Sequence, residues 1–201
     1  MSYYFSANTG KEPNRKNINF RFLGTEETFI SDDGIFSKDT LDFGSRVLLE
    51  TVLKEEVKGR VLDLGCGAGF IGILLKKYKP ECSITMVDVN ETAVALAKEN
   101  SRLYHQDNEV HVSDGFASID EKRFDVVVTN PPIRTGKTVI YRLFQEAVAH
   151  LNENGRLYIV IRKQQGAESA QKYLNTLIPT EVIAKEKGYW ILRGEIDSLT
   201  R

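Results

Sequence analysis

The segment VLDLGCGAGF, Val61 to Phe70, decides how the rest of the chain is read. Val61, Leu62 and Leu64 have the character of a short buried strand, and Gly65, Gly67 and Gly69 break it abruptly. Apolar residues resume with Phe70-Ile71-Gly72-Ile73-Leu74-Leu75 and meet no breaker before Pro80, which predicts a helix. Strand, glycine turn and helix in this order mark the place where an open α/β sheet takes a nucleotide-like ligand. The glycines let backbone and ligand approach closely, and the helix N-terminus offers unpaired N–H groups.

Two details choose among such ligands. A dinucleotide fingerprint needs glycine at position 70, where Phe70 stands. Asp63, just before the first glycine, suits a cationic amine and would repel a pyrophosphate. Asp88 follows the strand predicted over Ser83–Val87 and is placed to accept hydrogen bonds from ribose hydroxyls. A ligand with a ribose, an amine and no phosphate matches S-adenosylmethionine better than NAD.

Working outward, 201 residues with 41% apolar and 27% charged content describe an ordinary globular chain able to bury a sizeable core. A net charge of −1 gives no global signal for nucleic acid, so such binding must come from local patches. Cys66 and Cys82 are too few for a disulfide framework, and no Cys/His cluster has metal-ligand spacing, so no metal is expected. The N-terminus lacks the apolar core of a signal peptide and no apolar run is long enough to span a membrane, which points to the cytoplasm.

Ahead of the glycine turn, Ile18, Phe20 and Phe22 alternate with polar residues and Thr28–Ser31 follows Gly24, which predicts a hairpin. Residues 1–40 are read as an extension carrying that hairpin, and residues 41–201 as the main unit. Leu41–Val57 has helical spacing. Beyond the turn come a helix from about Glu91 to Tyr104 capped by Asn90, a strand over Glu109–Ser113, and the continuous apolar strand FDVVVT, Phe124–Thr129. Val139–Leu151 and Ala167–Leu177 read as helices, Gly155–Ile161 as a strand, and Glu181–Ala184 with Tyr189–Leu192 as a closing antiparallel pair. The alternation predicts a doubly wound α/β sheet.

FDVVVT runs straight into Asn130-Pro131-Pro132-Ile133. Two prolines with locked φ hold the Asn130 side chain and nearby carbonyls above the C-terminal edge of the strand, where open α/β sheets bind ligands. An amide oxygen and a carbonyl fixed there can accept both hydrogens of an NH₂ group and aim its lone pair at a methyl donor.

Together DLGCGAGFIGI, MVDVN, SDGF and NPPI resemble the class I S-adenosylmethionine-dependent methyltransferases that modify amino or amide nitrogens. SDDGIFSKDTLDFGSRVLLE, NPPIRTGK and the C-terminal KEKGYWIL bring the resemblance closer to the small-domain family and to the catalytic half of 16S rRNA guanine-N2 methyltransferases. It spans roughly residues 18 to 194. It implies a Rossmann-like sheet with helices on both faces, an antiparallel C-terminal strand pair and a small N-terminal β-hairpin. It also implies S-adenosylmethionine as methyl donor, and ribosomal RNA or the small ribosomal subunit as partner. By position, Gly65, Cys66, Gly67 and Gly69 would lie under the donor's methionine part with Asp63 near its amino group. Asp88 and Val89 would meet the ribose end, and Asp114, Gly115 and Phe116 would frame the adenine. The loop holding Phe36 and Ser37 would fold over the donor, and Asn130, Pro131 and Pro132 would hold the target amine.

Two departures qualify the match. Many relatives place Phe or Tyr after NPP to stack on the target base, where this chain has Ile133; Phe36 or the Tyr3–Phe5 cluster are the candidates for that stacking. The two-domain relatives carry a further N-terminal domain, so substrate docking is expected to use the basic N-terminal segment or a partner subunit. Whether the protein is a monomer or a homodimer stays open. Arg134, Lys137 and Arg142 follow NPPI directly and, with Ile133, are candidate substrate contacts through RNA phosphates. His105, His111 and His150 read as structural or surface residues, and Lys163 as solvated surface. Three activities remain: methylation of a guanine amine in rRNA, methylation of a protein glutamine amide, and a non-catalytic donor- and RNA-binding module.

Overall fold

The computed structural model describes residues 14–32 and 40–196. Strand β1 (Arg15–Phe22) turns at Leu23-Gly24 into β2 (Thr25–Asp32), and both turn residues have positive φ, which suits the twist of a tight hairpin. The alternation noted in the sequence puts Ile18, Phe20, Phe22 and Phe29 on the buried face. That face packs on helices α2 (Phe70–Tyr78) and α3 (Glu91–Leu103), where the Phe29 and Phe70 rings stack 4.5 Å apart. Glu27, only 2% exposed, is held by Lys77 Nζ at 2.5 Å and by the Tyr104 hydroxyl at 2.7 Å. The buried Asn100 accepts from the amide of Ile30 at 2.7 Å and donates to the carbonyls of Ile30 and Ala68, each at 2.9 Å. One side chain thus ties the hairpin to the glycine turn.

Seven strands form the main sheet: β3 (Arg60–Leu64), β4 (Ser83–Asp88), β5 (Glu109–Val112), β6 (Phe124–Thr129), β7 (Leu151–Arg162), β8 (Thr180–Glu186) and β9 (Tyr189–Glu195). Their spatial order is β5-β4-β3-β6-β7-β9-β8. The first five run parallel, and β9 lies antiparallel between β7 and β8. Helix α1 (Phe43–Val52), α2 and α3 cover one face; α4 (Lys137–Ala149) and α5 (Ala167–Leu174) cover the other. Val126 and Val128 point into the first layer and Val127 into the second, which is why FDVVVT is apolar at both parities. This is the α/β sheet expected from the sequence, with its antiparallel end and N-terminal hairpin. Among the described residues no helix is long and apolar enough to cross a membrane.

Element ends differ where a distant partner intervenes. Helix α1 stops at Val52 rather than Val57, because the chain turns back to bury Val57 and to bring the Arg60 amide onto the Asp125 carboxylate at 2.7 Å. Helix α5 stops at Leu174 rather than Leu177, because the Asn175 side chain brackets the amide and carbonyl of Thr180 at 2.9 and 3.2 Å and steers the chain into β8. Helix α4 begins two residues early, after Gly136.

Candidate active site

From β3 the chain winds outward through β4 and β5, then returns to place β6 on the other side of β3. That reversal opens a crevice beyond the C-terminal ends of β3 and β6, where doubly wound sheets bind ligands. The register pairs Leu64 with Thr129 on one side and with Val87 on the other, so Gly65, Asn130 and Asp88 emerge side by side. Thr129 Oγ1 donates to the Leu64 carbonyl at 2.8 Å and locks the first pair.

On the donor side, the amides of Gly65 and Cys66 both donate to the Val87 carbonyl at 2.9 Å, bending the chain out of β3. Gly69 has φ of 88°, a left-handed conformation that starts α2 and that a side chain would strain. A Cβ built on Gly65 or Gly67 meets nothing within 4 Å, so the turn faces open space. Asp88 accepts from the Gly67 amide at 2.8 Å and the Asn90 amide at 2.9 Å, and burial raises its pKa. Asp63 is 1% exposed and accepts from the Gly72 amide at 2.8 Å. Burial drives its pKa up to about 7; the Gly72 hydrogen bond opposes this and the nearby Asp88 charge adds to it. Among the described residues neither carboxyl is paired with a lysine or arginine. Val89 beside Asp88 is 43% exposed, an apolar surface next to the acid. Open backbone, two unpaired acids and an exposed apolar side chain fit a ligand with an amine, ribose hydroxyls and a flat base, and they disfavour a phosphate.

Asp114, Gly115 and Phe116 lie where β5 leaves the sheet, but only part of this segment can face a ligand. The Phe116 ring is 2% exposed and stacks on the His150 ring at 4.2 Å, so it belongs to the core. Its ring therefore has no free face to offer an adenine, contrary to expectation. Asp114 is bound by Arg142 Nη2 at 2.6 Å. Phe36 and Ser37, and the Tyr3–Phe5 cluster, lie outside the described residues.

On the acceptor side, the Asn130 amide nitrogen donates to Ser45 Oγ at 3.0 Å and approaches Asp42 Oδ1 at 3.4 Å. A carboxylate accepts only, so the nitrogen faces α1 and Oδ1 is turned away, without a partner among the described residues. Asp42 at the same time caps α1 by accepting from the Ser45 amide at 3.1 Å. Pro131 is buried and Pro132 exposed; Ile133 is half-buried against the second layer rather than presented as a platform. Arg134 and Lys137 are exposed and have no carboxylate within 4 Å among the described residues. Arg142 is tied to Asp114 and Glu146 and is not free for phosphate, contrary to expectation. Arg15 is ion-paired with Glu99, which takes one charge from the basic N-terminal segment.

Sequence reasoning missed Ser45, Asp42, Asn100 and Gly72. Asp42 three residues ahead of Ser45 carried an N-cap signal, but nothing local pointed to position 130. A Cβ on Gly72 would sit 2.6 Å from Met86 Sδ and 3.2 Å from Asp63 Oδ2, so this glycine lets α2 close onto β4 and hold Asp63.

Known proteins share this arrangement. The family described as "Methyltransferase small domain" matches residues 26–193. The uncharacterized protein YbxB of Bacillus subtilis is 40% identical over 96% of this chain and 98% of its own length. Ribosomal RNA small subunit methyltransferase C of Haemophilus influenzae is 41% identical over 66% of this chain, and the match spans 41% of that protein. Among solved structures, the T. thermophilus 16S rRNA N2 G1207 methyltransferase (RsmC), in complex with AdoMet and guanosine, superposes with a TM-score of 0.82 at 26% identity. It covers 90% of this chain and 50% of that one. With its glycine turn, its two acids and its Asn-Pro-Pro turn brought to one crevice, the chain belongs to the methyltransferase small domain family of S-adenosylmethionine-dependent methyltransferases.

Proposed function

We propose that this methyltransferase modifies the exocyclic N2 amine of a guanine in 16S ribosomal RNA, in the cytoplasm. The observation that carries the reading is Asn130 Oδ1, which has no partner among the described residues at the switch point while its own nitrogen is held by α1. The names of the relatives support rRNA over other amine-bearing acceptors. S-adenosylmethionine supplies an electrophilic methyl group. Asp63 and Asp88 would hold its amine and ribose ends. Asn130 Oδ1 and the Pro131 carbonyl accept the two N–H groups of the target amine. Both hydrogens so engaged, the nitrogen lone pair is drawn out of conjugation and aimed at the methyl group. Transfer of the methyl group from sulfur would release S-adenosylhomocysteine, and the nitrogen would give up a proton to solvent. No covalent intermediate with the protein is involved.

The test incubates the protein with tritiated S-adenosylmethionine and, in parallel, undermethylated small subunits, free 16S rRNA and total cell protein. Label recovered as N2-methylguanosine supports the reading. Label recovered as methylglutamine replaces it with the protein-amide activity.

A further inference from the structure

The C-terminal end of the sheet carries, besides the Asn-Pro-Pro turn, a second surface that the sequence did not disclose. Arg162 ends β7 and pairs in register with Tyr189, the first residue of β9. Its guanidinium lies 4.6 Å from the Tyr189 ring centroid. The Tyr189 and Phe43 rings are 5.6 Å apart, and Lys187, in the turn between β8 and β9, holds its ammonium 4.8 Å from the Phe43 centroid. Both rings are half-buried and both cations exposed; neither cation has a carboxylate within 4 Å among the described residues. Glu186 is the acid next to Lys187 in the chain, and it is exposed.

This group is built, and it adjoins the acceptor site. Tyr189 Cε1 lies 2.7 Å from where a Cβ on Gly44 would be, so the ring rests on the α1 backbone at that residue. Gly44 sits between Phe43 and Ser45, and Ser45 holds Asn130. Aromatic pair and amine-holding amide are thus served by one helical turn of about 5.4 Å.

We infer that Phe43, Tyr189, Arg162 and Lys187 form the docking surface for the nucleotide next to the target in an unpaired RNA segment. The inference rests on the proposed rRNA activity and gives it a place to bind substrate. The Arg162 guanidinium lies over the Tyr189 ring and the Lys187 ammonium over the Phe43 ring; an unpaired base of any sequence stacks on the outer plane of that guanidinium or takes its place on the ring, while the two charges meet the flanking phosphates. An acidic peptide would satisfy the charges but leave the guanidinium plane over Tyr189 without a flat partner.

The experiment uses the full chain with a fluorescein-labelled unpaired RNA oligomer, followed by anisotropy over a range of salt. Arg162→Gln with Lys187→Gln is expected to reduce the slope of log affinity against log salt by about 1.4, two phosphates at about 0.7 each. Tyr189→Leu is expected to weaken binding at least about five-fold, the lower end for loss of one stacked base, and Tyr189→Phe to leave it near wild type. Affinity for S-adenosylhomocysteine should be unchanged in all three. Should Tyr189→Leu disturb the fold, the double variant, which alters only exposed head groups, decides. The surface assignment falls if the double variant binds RNA with the wild-type salt slope. It also falls if a polyglutamate peptide competes with RNA on wild type and loses affinity equally in Tyr189→Leu. Methylation of free 16S rRNA by wild type is scored separately. Wild type that methylates rRNA while the variants bind normally overturns this surface alone; wild type that labels no RNA overturns the activity reading, and the binding data then judge the surface by themselves.

Discussion

Ser45 Oγ accepts a hydrogen bond from the Asn130 amide nitrogen at 3.0 Å, across 85 residues of sequence. Ser45 holds the Asn130 amide against α1, and the Asp42 carboxylate at 3.4 Å, which can only accept, sets which end of it faces the helix. Removing the hydroxyl takes away the shorter of the two contacts that hold the amide, with Asp42 left to orient it, and leaves every donor-binding residue in place.

Ser45→Ala is therefore expected to lower kcat by roughly two- to ten-fold, the worth of one neutral hydrogen bond of about 0.5–1.5 kcal/mol. Affinity for S-adenosylhomocysteine should not change. Asn130→Ala should cost on the order of a hundred-fold or more, because it removes the positioning group itself. Single-turnover kinetics with titration calorimetry separates the two effects. A fall in donor affinity with kcat intact would refute the role given to Ser45.

Asp63 makes both stability and donor binding depend on pH. Its carboxyl titrates near 7 in the folded chain and near the ordinary carboxylate value of about 3.9 when unfolded. Between these values the folded state binds more protons, so this group's contribution to stability falls as pH rises from about 4 to 7 and is level above. The donor's ammonium group favours the ionised carboxylate, so affinity should rise from pH 5.5 to 7, below the range where an α-amino group titrates. Calorimetry with S-adenosylhomocysteine should show that rise in wild type and a flat profile in Asp63→Asn. The same slope in both proteins would place the titrating group elsewhere.

Asn100→Ala removes three hydrogen bonds to backbone groups of Ile30 and Ala68 and leaves those groups without their partner. At about 1–3 kcal/mol for each buried group so stranded, the loss should be several kcal/mol in urea unfolding. Exchange of the Ile30 amide should accelerate more than that of amides in β6. Donor affinity should fall as well, because Ala68 lies in the glycine turn. A variant as stable as wild type would mean the hairpin is held by its aromatic contacts alone.

Gly72→Ala should destabilise the protein by about 1–3 kcal/mol through overpacking against Met86. Adding Met86→Ala makes room for the new methyl group, so the double variant should lose less than the sum of the singles. A thermodynamic cycle reads that coupling, and additive losses would show that the contact is relieved in another way.

Much of the fold was legible because its signals are local. Phe124–Thr129 reads as a doubly covered strand from six adjacent residues, Asn90 as a cap from its place before a helical pattern, and Gly24 as a hairpin turn between alternating strands. The helix ends were less legible, since α1 and α5 are stopped by Asp125 and by the bracket on Thr180 rather than by their own residues. Phe116 illustrates the same limit at the site. Its neighbours Asp114 and Gly115 mark a ligand-edge loop, yet where the ring points is decided by His150, which comes from the far end of α4.

The sequence by itself determined the α/β sheet, the glycine turn, the two acids and the Asn-Pro-Pro turn, and with them the kind of ligand. Each of these depends on backbone preferences and charges within a few consecutive residues. Only the tertiary structure decided that Ser45 and Asp42 hold Asn130, that Asn100 ties the hairpin to the turn, that Arg142 is spent on Asp114, and that Tyr189 lies on Gly44 beside Phe43. Those relationships join residues brought together by the strand order and register of the sheet. They come from packing between elements, and a one-dimensional pattern carries no record of which side chains meet there.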